Sequence, residues 1–174
     1  MRKELKLSGS GGQGLLTAGV ILAAAGMLDG KEVTQSQSYG PEARGGASKT
    51  DVMISDSPID FIRVQNCDML LCLTQLSYDR YGKDPTACLI IDDSLKINDS
   101  YPVPAKIVKV PILATAIEKM GKPMVANVVA LGAVNAALNL VSRESLEKAV
   151  LERVPKGTED LNKRALEAGY ELVK

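Results

Sequence analysis

The chain has 174 residues, 21 basic and 21 acidic side chains that give a formal net charge of zero, and no histidine or tryptophan. This length predicts a single domain, 1–174, and the balanced charge gives no basic footprint for nucleic acid. The absence of histidine excludes histidine-based catalysis and metal ligation, and the lack of a signal peptide or long apolar run predicts a soluble, cytoplasmic protein without membrane partners.

The chain opens with a strand, a glycine-rich loop and a helix. Alternating apolar residues predict the strand over about 3–8, and a helix follows over about 13–28. The glycines of the connecting loop have the G-x-G-x-x-G spacing, which lets a turn tighten and a phosphate approach the backbone at the start of a helix. We therefore predict a phosphate-binding loop made of Gly9, Ser10, Gly11, Gly12, Gln13 and Gly14.

A dinucleotide-binding unit also needs an acidic residue about 20 residues further on, at the end of the second strand, to hold the ribose hydroxyls. Residues 33–36 read Val-Thr-Gln-Ser, with neither that acid nor a basic side chain for a 2′-phosphate. A nicotinamide cofactor is therefore disfavoured. Two roles of the glycine loop stay open: a purely structural turn, and a site for another phosphate-bearing ligand.

A second polar loop joins strands predicted over about 32–36 and 47–54. About ten residues are too few for a parallel crossover, so the third strand is predicted to be antiparallel to its neighbour. The glycines and proline specify a tight path, and Arg44 suits a carboxylate or phosphate, or else an ion pair with Glu42 or a partner subunit. We predict a ligand or subunit contact beside the first loop, carried by Tyr39, Gly40, Pro41, Glu42, Arg44, Gly45 and Gly46.

The remaining elements continue the alternation of strands and helices. Strands are predicted over about 68–73, 87–92 and 106–110, and helices over about 58–66, 111–120, 123–141, 143–153 and 159–173. Ser142 and Thr158 are the expected N-caps of the last two helices. The pattern predicts an α/β fold, a three-layer Rossmann-like domain with a mixed, mostly parallel sheet.

Two further groups of residues could take part in metal binding or in contacts with other parts of the protein. The spacing of Cys67, Cys72 and Cys88 suits neither a zinc ribbon nor a ferredoxin-type cluster, so inert core thiols and no metal site are expected. The helix over 123–141 carries three asparagines, Asn127, Asn135 and Asn139. Their pattern fits a solvated face as well as a contact with a subunit or a neighbouring loop.

Four segments together carry a resemblance to a known family. They are 9–19, with the glycine loop and Thr-Ala-Gly, then 38–46, then Ser-Asp-Ser-Pro-Ile at 55–59, and Asn-Val-Val-Ala-Leu-Gly-Ala at 127–133. In order and spacing they resemble the gamma subunit of the 2-oxoacid:ferredoxin oxidoreductases, from residue 4 to about 140. The sequence of the second segment is most similar to the 2-oxoglutarate branch of that family, and next to its pyruvate and branched-chain (ketoisovalerate) branches.

The resemblance implies a heteromeric enzyme that oxidatively decarboxylates a 2-oxoacid, passing the acyl group to coenzyme A and electrons to ferredoxin. In that family, thiamine diphosphate and the iron–sulfur clusters belong to partner subunits, here alpha, beta and delta. This chain would then have no catalytic residue of its own. The glycine loop becomes a candidate cradle for coenzyme A phosphates, and the loop over 39–46 a wall of a shared active site. The alternatives are an NAD(P)-binding domain and a non-binding assembly subunit.

Overall fold

A mixed six-stranded sheet organises the protein in the computed structural model, which describes residues 1–38 and 46–174. Its strand order is β2-β3-β1-β4-β5-β6. All six predicted strands are confirmed: β1 (Arg2–Ser10), β2 (Glu32–Gln37), β3 (Ala47–Ser55), β4 (Met69–Cys72), β5 (Cys88–Asp92) and β6 (Lys106–Val110).

The described helices flank this sheet on both faces. They are α1 (Leu15–Leu28), α2 (Gln75–Tyr81), α3 (Ile112–Ala114), α4 (Ala126–Leu138), α5 (Arg143–Arg153) and α6 (Glu159–Glu171). A π-helical turn, Thr115–Lys119, extends α3, and a 3-10 turn, Pro123–Val125, leads into α4. No helix in the described ranges is both long and apolar enough to cross a bilayer.

Strand directions make the sheet mixed, as predicted. β3 runs antiparallel to both β1 and β2, whereas β4, β5 and β6 run parallel to β1. The inserted antiparallel strand explains how so short a connection can follow β2. It also makes β1 and β2 parallel strands that are not neighbours.

The helix predicted over 58–66 is wrong, because that segment has no regular structure. β3 ends at the edge of the sheet where β4 begins, so the chain passes along that edge without a crossover helix. The backbone N–H groups of Gln65 and Asn66 donate to the buried Glu4 carboxylate, at 2.6 and 3.1 Å. In contrast, α2 was missed, since seven residues are too few to reveal helical periodicity.

The core lies mainly on the sheet face that carries α1, α4, α5 and α6. A smaller cluster on the opposite face packs α2 against β4 and β5. Two glycines of α1 face the sheet: a Cβ at Gly19 would lie 2.8 Å from Thr50 Cγ2, and one at Gly26 would lie 2.7 Å from Val33 Cγ1. Glycine at both positions lets α1 lie against β2 and β3.

Helices α4 and α6 cross at a pair of glycines. A Cβ at Gly132 would overlap the carbonyl oxygen of Leu166, and a Cβ at Gly169 would overlap the carbonyl oxygen of Val129. Both obstacles are backbone atoms, which cannot rotate away. The backbones of the two helices are therefore in direct contact at this crossing.

The predicted N-caps of the last two helices differ in outcome. The Ser142 hydroxyl accepts from Ser145 N at 3.1 Å, a normal cap, whereas Thr158 makes no side-chain cap bond and donates its hydroxyl to Pro155 O at 2.6 Å. Asp29, at the end of α1, accepts from Ser142 N at 2.6 Å and from the Ser145 hydroxyl at 2.5 Å. Burial raises the pKa of Asp29, but these serine hydrogen bonds more than offset it and leave that pKa below its usual value.

Candidate functional site

The glycine loop turns the chain at the carboxyl end of β1, and the side chain of Gln13 fastens it from within. Gln13 Oε1 accepts a hydrogen bond from Ser10 N at 2.8 Å. This places the amide against the buried Gly9, where a Cβ would overlap Gln13 Oε1 and lie 2.8 Å from Leu15 Cδ1. Gly9 is therefore required for packing inside the loop.

Gly12 and Gly14 have backbone conformations that favour glycine, with φ angles of 90° and 75°. Their surroundings differ. A Cβ at Gly14 would lie 2.6 Å from Asn127 Nδ2, whereas a Cβ at Gly12 would meet no atom of residues 1–38 and 46–174 within 4 Å. Gly12 is also exposed, so it leaves open space over the loop that a ligand can enter.

Asn127, at the start of α4, ties the loop to a distant part of the chain. Its Nδ2 donates to Gly14 O at 3.1 Å, and its Oδ1 accepts from Val128 N at 2.9 Å. Asn127 is only 8% exposed. Of the two readings of this asparagine, contact with a neighbouring loop is therefore correct, and that loop is the glycine loop.

The start of α1 leaves hydrogen-bond donors free for an anion. In residues 1–38 and 46–174, no acceptor is found for the N–H groups of Gly11, Gly12, Leu16 and Thr17. The first turn of α1 carries no acidic residue and no side-chain cap. Unpaired amides at the positive end of a 14-residue helix stabilise a phosphate or carboxylate oxygen.

The other strand ends at this edge are closed by their own side chains. Asp92, 1% exposed, accepts from the Ser94 hydroxyl at 2.6 Å and from Leu113 N at 2.8 Å, which joins the end of β5 to α3. Thr74 caps α2 by accepting from Ser77 N at 3.2 Å. Neither residue was predicted from the sequence, although an aspartate that ends an apolar strand is a signal that points to Asp92.

The second predicted loop lies largely outside the described residues, which resume at Gly46. The site assigned to Tyr39, Gly40, Pro41, Glu42, Arg44 and Gly45 therefore remains a prediction. Its flanks are described. Ser38 N donates to Lys49 O at 3.3 Å, and Gly46 precedes Ala47, the register partner of Ser10. Both flanks therefore lie at the carboxyl edge that carries the glycine loop.

The cysteines are free thiols in packed surroundings. Burial raises the pKa of all three, and that of Cys72 to about 12. The Ser8 hydroxyl donates to Cys72 Sγ at 3.4 Å. Within the described ranges, no group of three or more cysteine, aspartate or glutamate side chains is arranged to hold a metal ion.

We expect Cys72 to stay unmodified when the native protein is treated with an aromatic disulfide reagent near pH 8. Its thiolate fraction there is roughly one part in ten thousand, and the thiolate is the reactive form. Release of the coloured thiol, followed with and without denaturant, checks this. In Cys72→Ser the slowest class of reactive thiols should be missing. If all three cysteines of the native protein reacted equally fast, the burial of Cys72 would be contradicted.

Comparison with known proteins assigns the family. A model of the pyruvate ferredoxin/flavodoxin oxidoreductase family matches residues 4–172. The chain belongs to this family. Subunit KorC of 2-oxoglutarate synthase from Methanocaldococcus jannaschii is 51% identical over 178 residues, which takes in 100% of this chain and 95% of that relative.

Solved structures of this family have the same fold. The gamma subunit of a keto/oxoacid ferredoxin oxidoreductase from Geobacter sulfurreducens superposes with a TM-score of 0.84 at 44% identity, over 99% of this chain and 97% of that one. The 2-oxoglutarate:ferredoxin oxidoreductase from Magnetococcus marinus, solved with 2-oxoglutarate, coenzyme A and succinyl-CoA, gives a TM-score of 0.85 at 20% identity. That alignment covers 99% of this chain and 31% of the other, and it establishes the fold alone.

These matches confirm three predictions made from the sequence: the family, the α/β fold class and the role as a subunit of an oxidoreductase complex. They leave the individual site residues untested.

Proposed function

We propose that this chain is the gamma subunit of a 2-oxoglutarate:ferredoxin oxidoreductase and that its glycine loop binds phosphate groups of coenzyme A. The partners are alpha, beta and delta subunits, with ferredoxin contacted indirectly. Thiamine diphosphate and iron–sulfur clusters are held by those partners, where they supply decarboxylation and electron transfer. The choice of 2-oxoglutarate is supported by the amino-acid sequence of segment 38–46 and by the 51% identity to the KorC relative.

The observation that carries the proposal is the open, donor-lined space over Gly12. Among the described residues, no atom lies within 4 Å of a Cβ built at Gly12, and the N–H groups around Gly12 have no acceptor. Phosphate oxygens are strong acceptors that fit such a backbone cradle at a helix start. Every helix start has such donors; at this one they face the open space over Gly12, where a phosphate can reach them.

In this proposal the chain binds and orients a substrate without performing proton or electron transfer. Coenzyme A carries phosphates far from its reacting thiol, so a phosphate cradle fixes one end of the molecule while the thiol reaches an active site formed with partner subunits. The flanks of segment 39–45 support a second part of the proposal. They leave and re-enter the sheet beside the glycine loop, where Tyr39, Glu42 and Arg44 would form a wall of that shared site.

An NAD(P)-binding domain is the weaker candidate. In a dinucleotide unit the second strand pairs directly with the first, so its terminal acid reaches the ribose. Here β3 separates β1 from β2, and the end of β2 lies two strand spacings away, roughly 10 Å. The ribose-binding acid is therefore absent in sequence and displaced in space.

Two matched glycine variants test the coenzyme A site. Gly12 and Gly157 have the same φ of 90° and equally open surroundings, so Gly12→Glu and Gly157→Glu impose the same backbone strain and the same charge. We expect the KM for coenzyme A of the assembled enzyme to rise about tenfold or more for Gly12→Glu, since the carboxylate repels the phosphates. Gly157→Glu should leave that KM unchanged.

Equal KM values for the two variants would favour a non-binding assembly subunit. Calorimetric titration that gave tight binding of NADH and none of coenzyme A would favour the dinucleotide alternative. Turnover of the purified complex with 2-oxoglutarate, pyruvate and 2-oxoisovalerate tests the substrate assignment, and 2-oxoglutarate should give the highest kcat/KM.

A further inference from the structure

A cleft of about 450 Å³ opens on the sheet face opposite to α1, α4, α5 and α6. We call it the basic cleft, since three of its lining residues are Lys6 on β1, Lys49 on β3 and Arg63 on the connection from β3 to β4. Its polar floor and wall are completed by Ser36, Gln37, Ser38 and Asp51. The cleft lies outside the glycine loop and plays no part in the proposed coenzyme A site.

The cleft holds an excess of positive charge. Lys49 Nζ pairs with Asp51 Oδ2 at 2.9 Å, and Asp51 is the one carboxylate among the described residues that line the cleft. Across the described residues, Lys6 and Arg63 have no ion-pair partner. Two uncompensated cations in a concave, partly desolvated surface attract an anionic partner more strongly than the same charges on an open surface.

The wall that carries Arg63 is fixed in place. Glu4, which is 5% exposed, accepts hydrogen bonds from the N–H groups of Gln65 and Asn66, and Asp68 Oδ2 accepts from Glu4 N at 2.8 Å. A buried carboxylate bonded to two backbone amides is costly to disrupt. Arg63 is exposed, and the residues that follow it, Gln65 and Asn66, are held in place by Glu4.

Two large apolar residues lie at this part of the chain: Ile62 lines the cleft, and Phe61 directly precedes it in sequence. Phe61 is 49% exposed and Ile62 is 62% exposed, and Phe61 is the single phenylalanine of the chain. Exposed aromatic and aliphatic groups next to an arginine are typical of the central residues of protein interfaces. A small polyanion would use the cations but would have no use for these apolar groups.

We infer that the basic cleft and its apolar rim, Phe61 and Ile62, form a docking surface for a partner protein chain that presents carboxylates together with an apolar recess. The carboxylates pair with Lys6 and Arg63, while the recess takes up the rim. The cleft reaches Ser38, at the edge where the glycine loop lies, so a chain docked here adjoins the proposed coenzyme A site. The inference rests on the proposed role as a subunit of a larger enzyme.

The test uses the assembled enzyme, purified through a tag on another subunit and washed with increasing NaCl. Arg63→Glu is expected to lower the salt concentration that releases half of this chain by about twofold, because exposed charge pairs weaken with ionic strength. Lys148→Glu is the matched control, since it makes the same charge change at an exposed position of α5, on the opposite face. It should release at the wild-type salt concentration, and Arg63→Lys should retain most of the wild-type behaviour.

The double variant Phe61→Ser/Ile62→Ser is expected to release early as well, and circular dichroism of each variant verifies its fold. Release of Arg63→Glu at the same salt concentration as Lys148→Glu overturns the inference. So does Arg63-dependent binding of inorganic pyrophosphate with assembly unaffected, which would assign a small-anion site. The KM for coenzyme A, measured on complexes kept assembled at low salt, separates the docking surface from the coenzyme A site. Arg63→Glu should leave this KM unchanged. If Gly12→Glu also fails to raise it, that result counts against the coenzyme A site and not against the docking surface.

Discussion

Replacing Gly132 by valine is expected to destabilise the protein by about 4 kcal/mol, the largest single effect we anticipate. The new Cβ would overlap the carbonyl oxygen of Leu166 on α6, and its branches have no room at the crossing. Valine differs little from glycine in intrinsic helix preference, so the loss measures the forced separation of α4 and α6. Urea unfolding of the purified chain, followed by circular dichroism, gives the change in the free energy of unfolding.

A graded series identifies the cause. Gly132→Ala should still destabilise, because even one methyl group meets backbone, despite the better helix propensity of alanine. Lys148→Val places the same β-branched side chain at an exposed position of α5 and should cost about 0.5 kcal/mol. If Gly132→Val lost no more stability than Lys148→Val, the close crossing of α4 and α6 would be wrong.

Replacing Asn135 by leucine is expected to cost about 3 kcal/mol. The Asn135 side chain makes four hydrogen bonds: Oδ1 accepts from Leu140 N and Val141 N at 2.9 and 3.1 Å, and Nδ2 donates to Val141 O at 2.9 Å and Tyr170 Oη at 2.7 Å. Leucine has the same branching at Cγ, but it is bulkier and leaves these partners unpaired inside the protein. Thermal and urea unfolding of the purified chain measure the loss.

Tyr170→Phe provides the comparison for Asn135→Leu. It removes one of the four partners and should cost about 1 kcal/mol. A smaller loss for Asn135→Leu than for Tyr170→Phe would show that the turn between α4 and α5 does not depend on this side chain.

The sheet could be predicted from the sequence because its strands carry strong local signals. Apolar runs such as the one at 88–92 and the short connection before β3 determined the number of strands and the direction of β3. The segment 58–66 was misjudged because nothing local distinguishes a chain that passes along the edge of a sheet from one that crosses it. Its conformation follows from hydrogen bonds to Glu4, about 60 residues away.

The position of the glycine loop could be predicted from the sequence, whereas the hydrogen bonds that hold the loop could not. Glycine spacing alone located the turn and its helix. The role of Gln13 is local but depends on a side-chain rotamer, and the bond from Asn127 to Gly14 spans 113 residues of sequence. Asparagines along an apolar helix fit solvent, subunit or loop contacts equally, and only the packing of α4 distinguishes them.

The two fastenings of the glycine loop bear on the kinetics of ligand capture. Gln13 holds the loop at Ser10 and Asn127 holds it at Gly14, each through a hydrogen bond within the chain. A loop fixed at both ends has little conformational entropy left to lose when an anion arrives, so the ordering cost of binding is small. If the loop binds coenzyme A as proposed, association should depend on diffusion and charge, and a slow, gated step would arise outside the glycine loop.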